Sequence, residues 1–195
     1  MIIGLVGFKQ SGKSTAAKYL EEKYGFVRHN FKDALIAELK QNFPDLLNAI
    51  ANTTQEYIKP EDRVDITDLL FEMKPPLIRT LMQNYGTDVR RKDNPHYWTT
   101  AWMMGVAKHF EEEEYNIVVD DVRFMNEANT IRSFGSLLSV PYEQKIIRIM
   151  REDITTGGDH QSETEQLAIE ADHTIQTAPG DFQGLYKALD DIMQK

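Results

Sequence analysis

Two glycines five residues apart, followed by a lysine and a hydroxyl, stand near the start of the chain: Gly7-Phe8-Lys9-Gln10-Ser11-Gly12-Lys13-Ser14. Glycines let successive backbone N–H groups curl round an anion, and a helix beginning at the loop's end adds its partial positive charge. In this phosphate-loop pattern a lysine in the place of Lys13 reaches the outer phosphates of a nucleotide. A hydroxyl in the place of Ser14 ligates Mg²⁺. The spacing makes sense only if a strand delivers the loop and a helix leaves it. Ile2, Ile3, Leu5 and Val6 supply the apolar run of a buried parallel strand over 2–6. Ala16, Ala17, Leu20 and Tyr24 then fall on one helical face, with Gly25 placed as a stop.

A second group able to do chemistry is Ile117-Val118-Val119-Asp120-Asp121-Val122-Arg123. An acid at the end of a core strand is the usual partner of the loop hydroxyl around Mg²⁺. Asp121 and Arg123 lie two apart, so an extended backbone would send both side chains the same way. One could order a metal or accept a proton while the other neutralises phosphate. The alternative is an Asp–Arg surface pair in a loop.

The remaining elements follow from periodicity. Leu35, Ile36, Leu39 and Phe43 predict a helix over 31–43 ended by Pro44, and Leu77, Ile78, Leu81, Met82 and Tyr85 predict another stopped at Gly86. Asn94-Pro95 is expected to open a helix carrying Trp98, Trp102 and Val106. Gly180-Asp181 leads into a C-terminal helix with Phe182, Leu185, Tyr186, Leu189 and Ile192. Strands are predicted over 115–120, at Ile146–Met150 and around Thr174-Ile175, with an extra strand or hairpin at 136–145 and an irregular excursion over 52–75. Strands alternating with helices imply an α/β fold with a parallel sheet covered on both faces.

Trp98 and Trp102, four apart, read by pattern as core, and Arg90-Arg91-Lys92 and Glu111–Glu114 as solvated loops. His160 has no second histidine at ligand spacing, so zinc is not expected. The chain of 195 residues is long enough for one α/β domain with a sizeable core. Its 31 acidic against 22 basic side chains leave a formal charge of -9, which argues against sequence-independent binding to nucleic acid polymers. With no cysteine, disulfides, thiolate catalysis and Cys-type zinc sites are excluded. The N-terminal apolar run is too short for a signal peptide or a membrane span, so the cytoplasm is the expected compartment.

Beyond these patterns the sequence resembles the deoxynucleoside monophosphate kinases of tailed bacteriophages, within the wider nucleoside monophosphate kinase group. The likeness lies in Gly7 to Thr15; in Arg79-Thr80-Leu81-Met82-Gln83-Asn84-Tyr85-Gly86-Thr87-Asp88 with Asp93 and Tyr97-Trp98; in Asp121-Val122-Arg123 with Glu127; and in Arg151, His160-Gln161-Ser162-Glu163 and Ala171-Asp172-His173-Thr174-Ile175. These occur in family order, while the intervening segments match poorly. Several family members have Asp where this chain has Ser14, and residues 44–75 are shorter than the corresponding region of some members.

The resemblance implies a P-loop NTPase three-layer α/β/α fold of NMP-kinase type. It also implies one kinase domain over 1–195, with a helical acceptor-binding insertion at about 31–113 and a short lid at about 152–166. The activity implied is transfer of the ATP γ-phosphoryl group to a deoxynucleoside 5′-monophosphate. Lys13, Asp121 and Arg123 would be catalytic. Lys9, Gln10, Ser11, Gly12, Lys13, Ser14, Thr15 and Arg151 would bind ATP, and Ser14 and Asp121 would organise Mg²⁺. Arg79, Trp98, Arg123 and Glu127 would serve the acceptor, with Trp98 stacking on or walling the base and Glu127 orienting it. The partners implied are small nucleotides, with no membrane and no nucleic acid polymer, in the host cytoplasm if the chain is phage-encoded; a homodimer, the commonest oligomer, is compatible. The rival readings are a kinase of the same fold with another acceptor, such as dephospho-coenzyme A, or an ATP- or GTP-binding module that is no kinase. The guanine-reading Asn-Lys-x-Asp motif is absent from the sequence, which counts against a GTP switch.

Overall fold

Alternating apolar runs and amphipathic segments fold into five strands and seven α-helices in the computed structural model, which describes residues 1–55, 71, 73–110, 116–137, 142–154 and 164–194. The chain forms two compact units, Met1–Phe31 with Thr99–Lys195, and Lys32–Trp98. The insertion expected at about 31–113 includes the whole of the second unit.

The first unit is built on strands β1 (Ile2–Val6), β2 (Val27–Arg28), β3 (Ile117–Val122), β4 (Gln144–Arg151) and β5 (His173–Thr177). They lie in the order β2-β3-β1-β4-β5, every neighbouring pair parallel. Side-chain alternation divides the core. Ile2, Val6, Ile117, Val119 and Ile146 face one layer, where Trp102 and Val106 of α5 (Tyr97–Phe110) and Ala128, Ile131 and Phe134 of α6 (Met125–Leu137) cover them. Ile3, Leu5, Val118, Ile147, Ile149 and Ile175 face the other, under Ala16, Ala17 and Leu20 of α1 (Lys13–Tyr24) and Leu185, Leu189 and Ile192 of α7 (Phe182–Met193). The fold is therefore the expected three-layer α/β/α arrangement. Each of these fully buried Ile and Leu side chains contributes about 1.5–3 kcal/mol through removal from water.

Local signals close the elements. Gly25 ends α1 with a left-handed backbone, its N–H returning to the Leu20 and Glu21 carbonyls. The Asp181 carboxylate accepts from the Gly184 N–H and opens α7. Asp172 clips β4 to the chain entering β5, taking the Ile146 N–H on its carboxylate while its own N–H donates to the Ile146 carbonyl. The two-residue β2 is too short to carry a period and was not expected.

The second unit contains most of α2 (Phe31–Asn42), then α3 (Pro44–Gln55), α4 (Pro76–Gln83) and a π-helical segment Asn84–Arg91. Leu35, Leu39, Leu47, Ile50, Phe71, Ile78 and Trp98 form its core. Pro44 both ends α2 and opens α3, a helix beyond those expected from the sequence. Gly86, expected to stop its helix, does not: the chain continues through a wider π-helical turn to Arg91. A Cβ there would meet Leu35 Cδ2 at 3.3 Å, so this glycine serves close packing rather than termination. Asn94 does act at the start of α5, its Oδ1 accepting from the His96 N–H. Of the excursion at 52–75, residues 52–55 are helical and 56–70 and 72 lie outside the described residues; of the strand or hairpin at 136–145, α6 runs to Leu137, β4 begins at Gln144, and 138–141 lie outside them.

Candidate active site

In a parallel sheet ligands bind outside the carboxyl ends of the strands, at the point where strand order reverses. Here that point is the end of β1, flanked by β3 and β4. Val6 of β1 lies in register with Val122 of β3 and Arg148 of β4. The phosphate loop leaves β1 at this level, and its backbone is shaped for close approach. Gly7 has φ 151° and Gly12 φ 108°, both in the region that L side chains avoid, and Gln10 joins them at φ 64°. A Cβ on Gly7 would stand 2.2 Å from the Ile149 carbonyl oxygen of β4, so no larger residue fits.

The loop leads straight into the start of α1. Among the described residues, α1 has no side-chain cap and no acid in its first turn. The other helices beginning in this unit are provided for. Phe31 N–H at the start of α2 donates to Asp121 Oδ1 at 3.1 Å, α7 has Asp181, and α6 has Glu127 and Glu165. Backbone donors and helix charge at a helix start of this kind can serve an anion. Lys13 places its ammonium on the Gly7 and Phe8 carbonyls at 2.6 and 2.7 Å, across the loop it would serve. Ser14 is exposed, Thr15 half-buried, and Lys9 and Gln10 exposed. Ser11 is 3 % exposed, its Oγ buried without a hydrogen-bond partner among the described residues.

The acidic strand end differs from the extended geometry expected. The β1–β3 pairing shifts register between Gly4 and Val6, so that Asp120 and Asp121 together face Leu5. Such a bulge re-aims side chains where a strand ends. Asp120 is buried and paired with Arg28 Nη1 at 3.3 Å, and Arg28 also binds Glu21 of α1. Asp121 is half-buried and caps α2. Arg123 lies past the strand, in the turn before α6, half-buried. The structure therefore places the loop, Asp121 and Arg123 at the carboxyl ends of neighbouring strands.

Glu127, expected to orient an acceptor, is 2 % exposed, and its Oε2 accepts from the Arg123 and Phe124 N–H groups at 2.7 and 3.0 Å. Its place at the third position of α6 is a capping geometry. Arg151, at the end of β4, pairs with Asp153 through Nε at 2.6 Å and Nη2 at 3.2 Å, and holds that carboxyl below its usual range. Of the lid drawn at 152–166, residues 155–163, with His160 and Glu163, lie outside the described residues.

Two acceptor residues belong to the helical unit. Arg79 is exposed on α4, with no side-chain hydrogen bond or ion pair to the described residues. Trp98 is 3 % exposed in that unit's core, edge-on to Tyr97, with its indole N–H on the Gly86 carbonyl at 2.9 Å. The pattern reading of Trp98 as core matches this position. Trp102 is core too, its N–H donating to the His29 carbonyl. Arg90, expected in a solvated loop, lies between the Tyr85 and Tyr97 rings and pairs with Glu38. Burial and the Glu38 carboxylate raise the Tyr97 hydroxyl above its ordinary value. No single-residue signal reveals such a cluster, because its members come from three separate segments.

A hydroxyl and carboxylates are hard oxygen donors of the kind Mg²⁺ takes. Among the described residues no group of three or more His, Cys, Asp or Glu could hold a metal by itself. No helix among the described residues is long and apolar enough to cross a membrane.

A phosphate loop at the end of the central strand of a parallel α/β sheet defines a P-loop nucleotide-binding protein. Residues 31–189 match the family model for deoxynucleotide monophosphate kinase. A protein of Acanthamoeba polyphaga mimivirus, named as a candidate deoxynucleotide monophosphate kinase, is 30 % identical over 185 residues, covering 88 % of this chain and 84 % of its own length. The chain belongs to the deoxynucleotide monophosphate kinase family, and it is a phosphotransferase. Solved structures resemble it more loosely. A dephospho-CoA kinase of Campylobacter jejuni has TM-score 0.46 at 16 % identity, covering 99 % of this chain and 97 % of its own. A candidate kinase of Chloroflexus aurantiacus has TM-score 0.49 at 11 % identity, covering 99 % and 95 %.

Proposed function

We propose that the chain transfers the γ-phosphoryl group of ATP to a deoxynucleoside 5′-monophosphate, giving the diphosphate and ADP, in the cytoplasm. The observation that carries this reading is the Gly7–Gly12 loop, with its positive-φ glycines, leading from the central strand into α1, in a chain whose family match begins only at residue 31. Loop and family match thus rest on different residues.

Phosphoryl transfer asks the protein for position and charge rather than covalent chemistry. The N–H groups of Gln10 to Ser14 hold the β-phosphate. The Lys13 ammonium exchanges the Gly7 and Phe8 carbonyls for phosphate oxygens and follows the migrating group. Mg²⁺, when bound, offsets phosphate charge, and Ser14 and Asp121 are the residues that would hold it. Arg123 neutralises charge on the group in transfer or on the acceptor phosphate, and Arg79 serves that acceptor. Lys9, Thr15 and Arg151 complete the ATP side. Glu127 acts on the acceptor through Arg123, by fixing the turn that carries it. Trp98 supports the base site from within the helical core.

Arg79 gives the sharpest test of acceptor binding, since its exposure makes its removal harmless to folding. Arg79→Ala should raise the KM for the monophosphate by about tenfold or more while ATP affinity, read by calorimetry, stays within about twofold. Unchanged kinetics would remove Arg79 from the site. Trp98 is no substitute for this test, because its truncation opens the core.

A further inference from the structure

We propose that Glu165 and Arg148 are positioning residues that set the Arg123 turn for phosphoryl transfer: Glu165 caps α6, and Arg148 holds the turn bearing Glu165 to the sheet. This rests on the kinase reading above. A helix start leaves four N–H groups without intrahelical partners. At α6, Arg123 and Phe124 donate theirs to Glu127, a residue of the same helix. Met125 donates its N–H to Glu165 Oε1 at 3.1 Å, across 40 residues of chain. The local cap forms with the helix; the remote one forms only when the chain around Glu165 is in place.

Arg148 puts it there. The guanidinium Nη2 donates to the carbonyls of Gln166, at 3.3 Å, and Ile169, and so staples the short 3₁₀ turn Gln166–Ala168 to β4. Ile169 anchors the same turn in the core. Among the described residues Arg148 has no carboxylate partner, and burial pushes its guanidinium below the usual value. A half-buried cation without a counter-ion is costly, so its two carbonyl bonds are its evident purpose. Methionine would fill the space without bridging them. Because Arg148 lies in register with Val6, one residue before the phosphate loop, a single stretch of sheet sets both the loop and, through Glu165, the turn of Arg123.

The test uses Glu165→Ala, Glu165→Gln and Arg148→Met, each alone, and Glu165→Ala combined with Arg123→Ala. Amide exchange is read by NMR and steady-state kinetics with ATP and a deoxynucleoside monophosphate. Glu165→Ala and Arg148→Met should speed exchange at the Met125 amide by about tenfold or more, with Phe124 unchanged. They should lower kcat about five- to tenfold, roughly the loss of one cap, with the KM for ATP unaltered. Glu165→Gln, which keeps an acceptor oxygen, should restore most of both. In an Arg123→Ala background Glu165→Ala should cost nothing further, since the residue it positions is gone. Unaltered Met125 exchange, or kcat losses that multiply with that of Arg123→Ala, would overturn the proposal. Absence of product from the wild-type protein would sink the kinase reading instead, and exchange at Met125 would still decide the cap.

Discussion

Lys13 carries the greatest weight of any side chain in this account, because a fixed cation beside the transferred group cannot be replaced by solvent. Lys13→Ala should cut kcat by at least about a hundredfold with the melting temperature little changed. Asp121 and Arg123 should fail differently. Asp121→Asn should shift the Mg²⁺ titration to higher concentration if Asp121 organises the metal as proposed. Arg123→Ala should lower kcat or acceptor affinity with the Mg²⁺ titration in place. If both variants kept wild-type activity and titrations, the two residues would be no more than a strand-end pair. At this scale the phosphate loop was legible because its chemistry is local, eight consecutive residues whose spacing is the function. Glu127 and Trp98 were legible as members of a motif, but what they touch was not. The Glu127 carboxylate returns to the N–H groups just before its helix, a local cap that the place of Glu127 in the first turn could have signalled, whereas the closing of the Trp98 indole in a helical core is settled by tertiary contacts that no spacing encodes.

At the scale of elements, α1 and α7 are tied by a polar cluster away from the site. Asp190 accepts from Tyr19, Lys23 and Tyr24, and Tyr19 stacks on Tyr186 with ring centroids 4.1 Å apart. Hydrogen bonds from Lys23, then Tyr19 and Tyr24, hold the Asp190 carboxyl at about 2, against 3.8 for an unperturbed one. The folded value lies below the unfolded one, so the contribution is complete above about pH 4 and lost as pH falls towards 2. Asp190→Asn should therefore lower the melting temperature by a few degrees at pH 7, and the gap from wild type should close between pH 4 and 2. A gap independent of pH would mean that the side chain acts by packing alone. The same cluster shows why elements are easier to read than their ties. Ala16, Leu20, Leu185 and Leu189 announce two amphipathic helices, whereas Tyr19 and Asp190 meet only because the fold brings them together. Breakers mislead for a related reason. Pro44 and Gly86 both read as ends, yet Pro44 also starts a helix and Gly86 sits within a continuing π-helical turn, packed closely against Leu35.

At the scale of the molecule, one arrangement joins the parts. β1 is central, its loop opens where the sheet's strand order reverses, and β3 and β4 deliver Asp121 and Arg148 to the same level. The parallel sheet could be read from alternating strand and helix signals, because strands buried on both faces are apolar throughout. The bulge at Asp120-Asp121 could not, since a register shift depends on the neighbouring strand. A kinase of this build must hold its acceptor before it commits the γ-phosphoryl group, or water will take it. Product formation is the most direct test. The purified protein with Mg-ATP is offered each common deoxynucleoside and ribonucleoside monophosphate in turn, and diphosphate and free phosphate are measured together. The account predicts diphosphate from at least one deoxynucleoside monophosphate, formed faster than ATP is hydrolysed without acceptor. ATP bound but no diphosphate from any acceptor would contradict it.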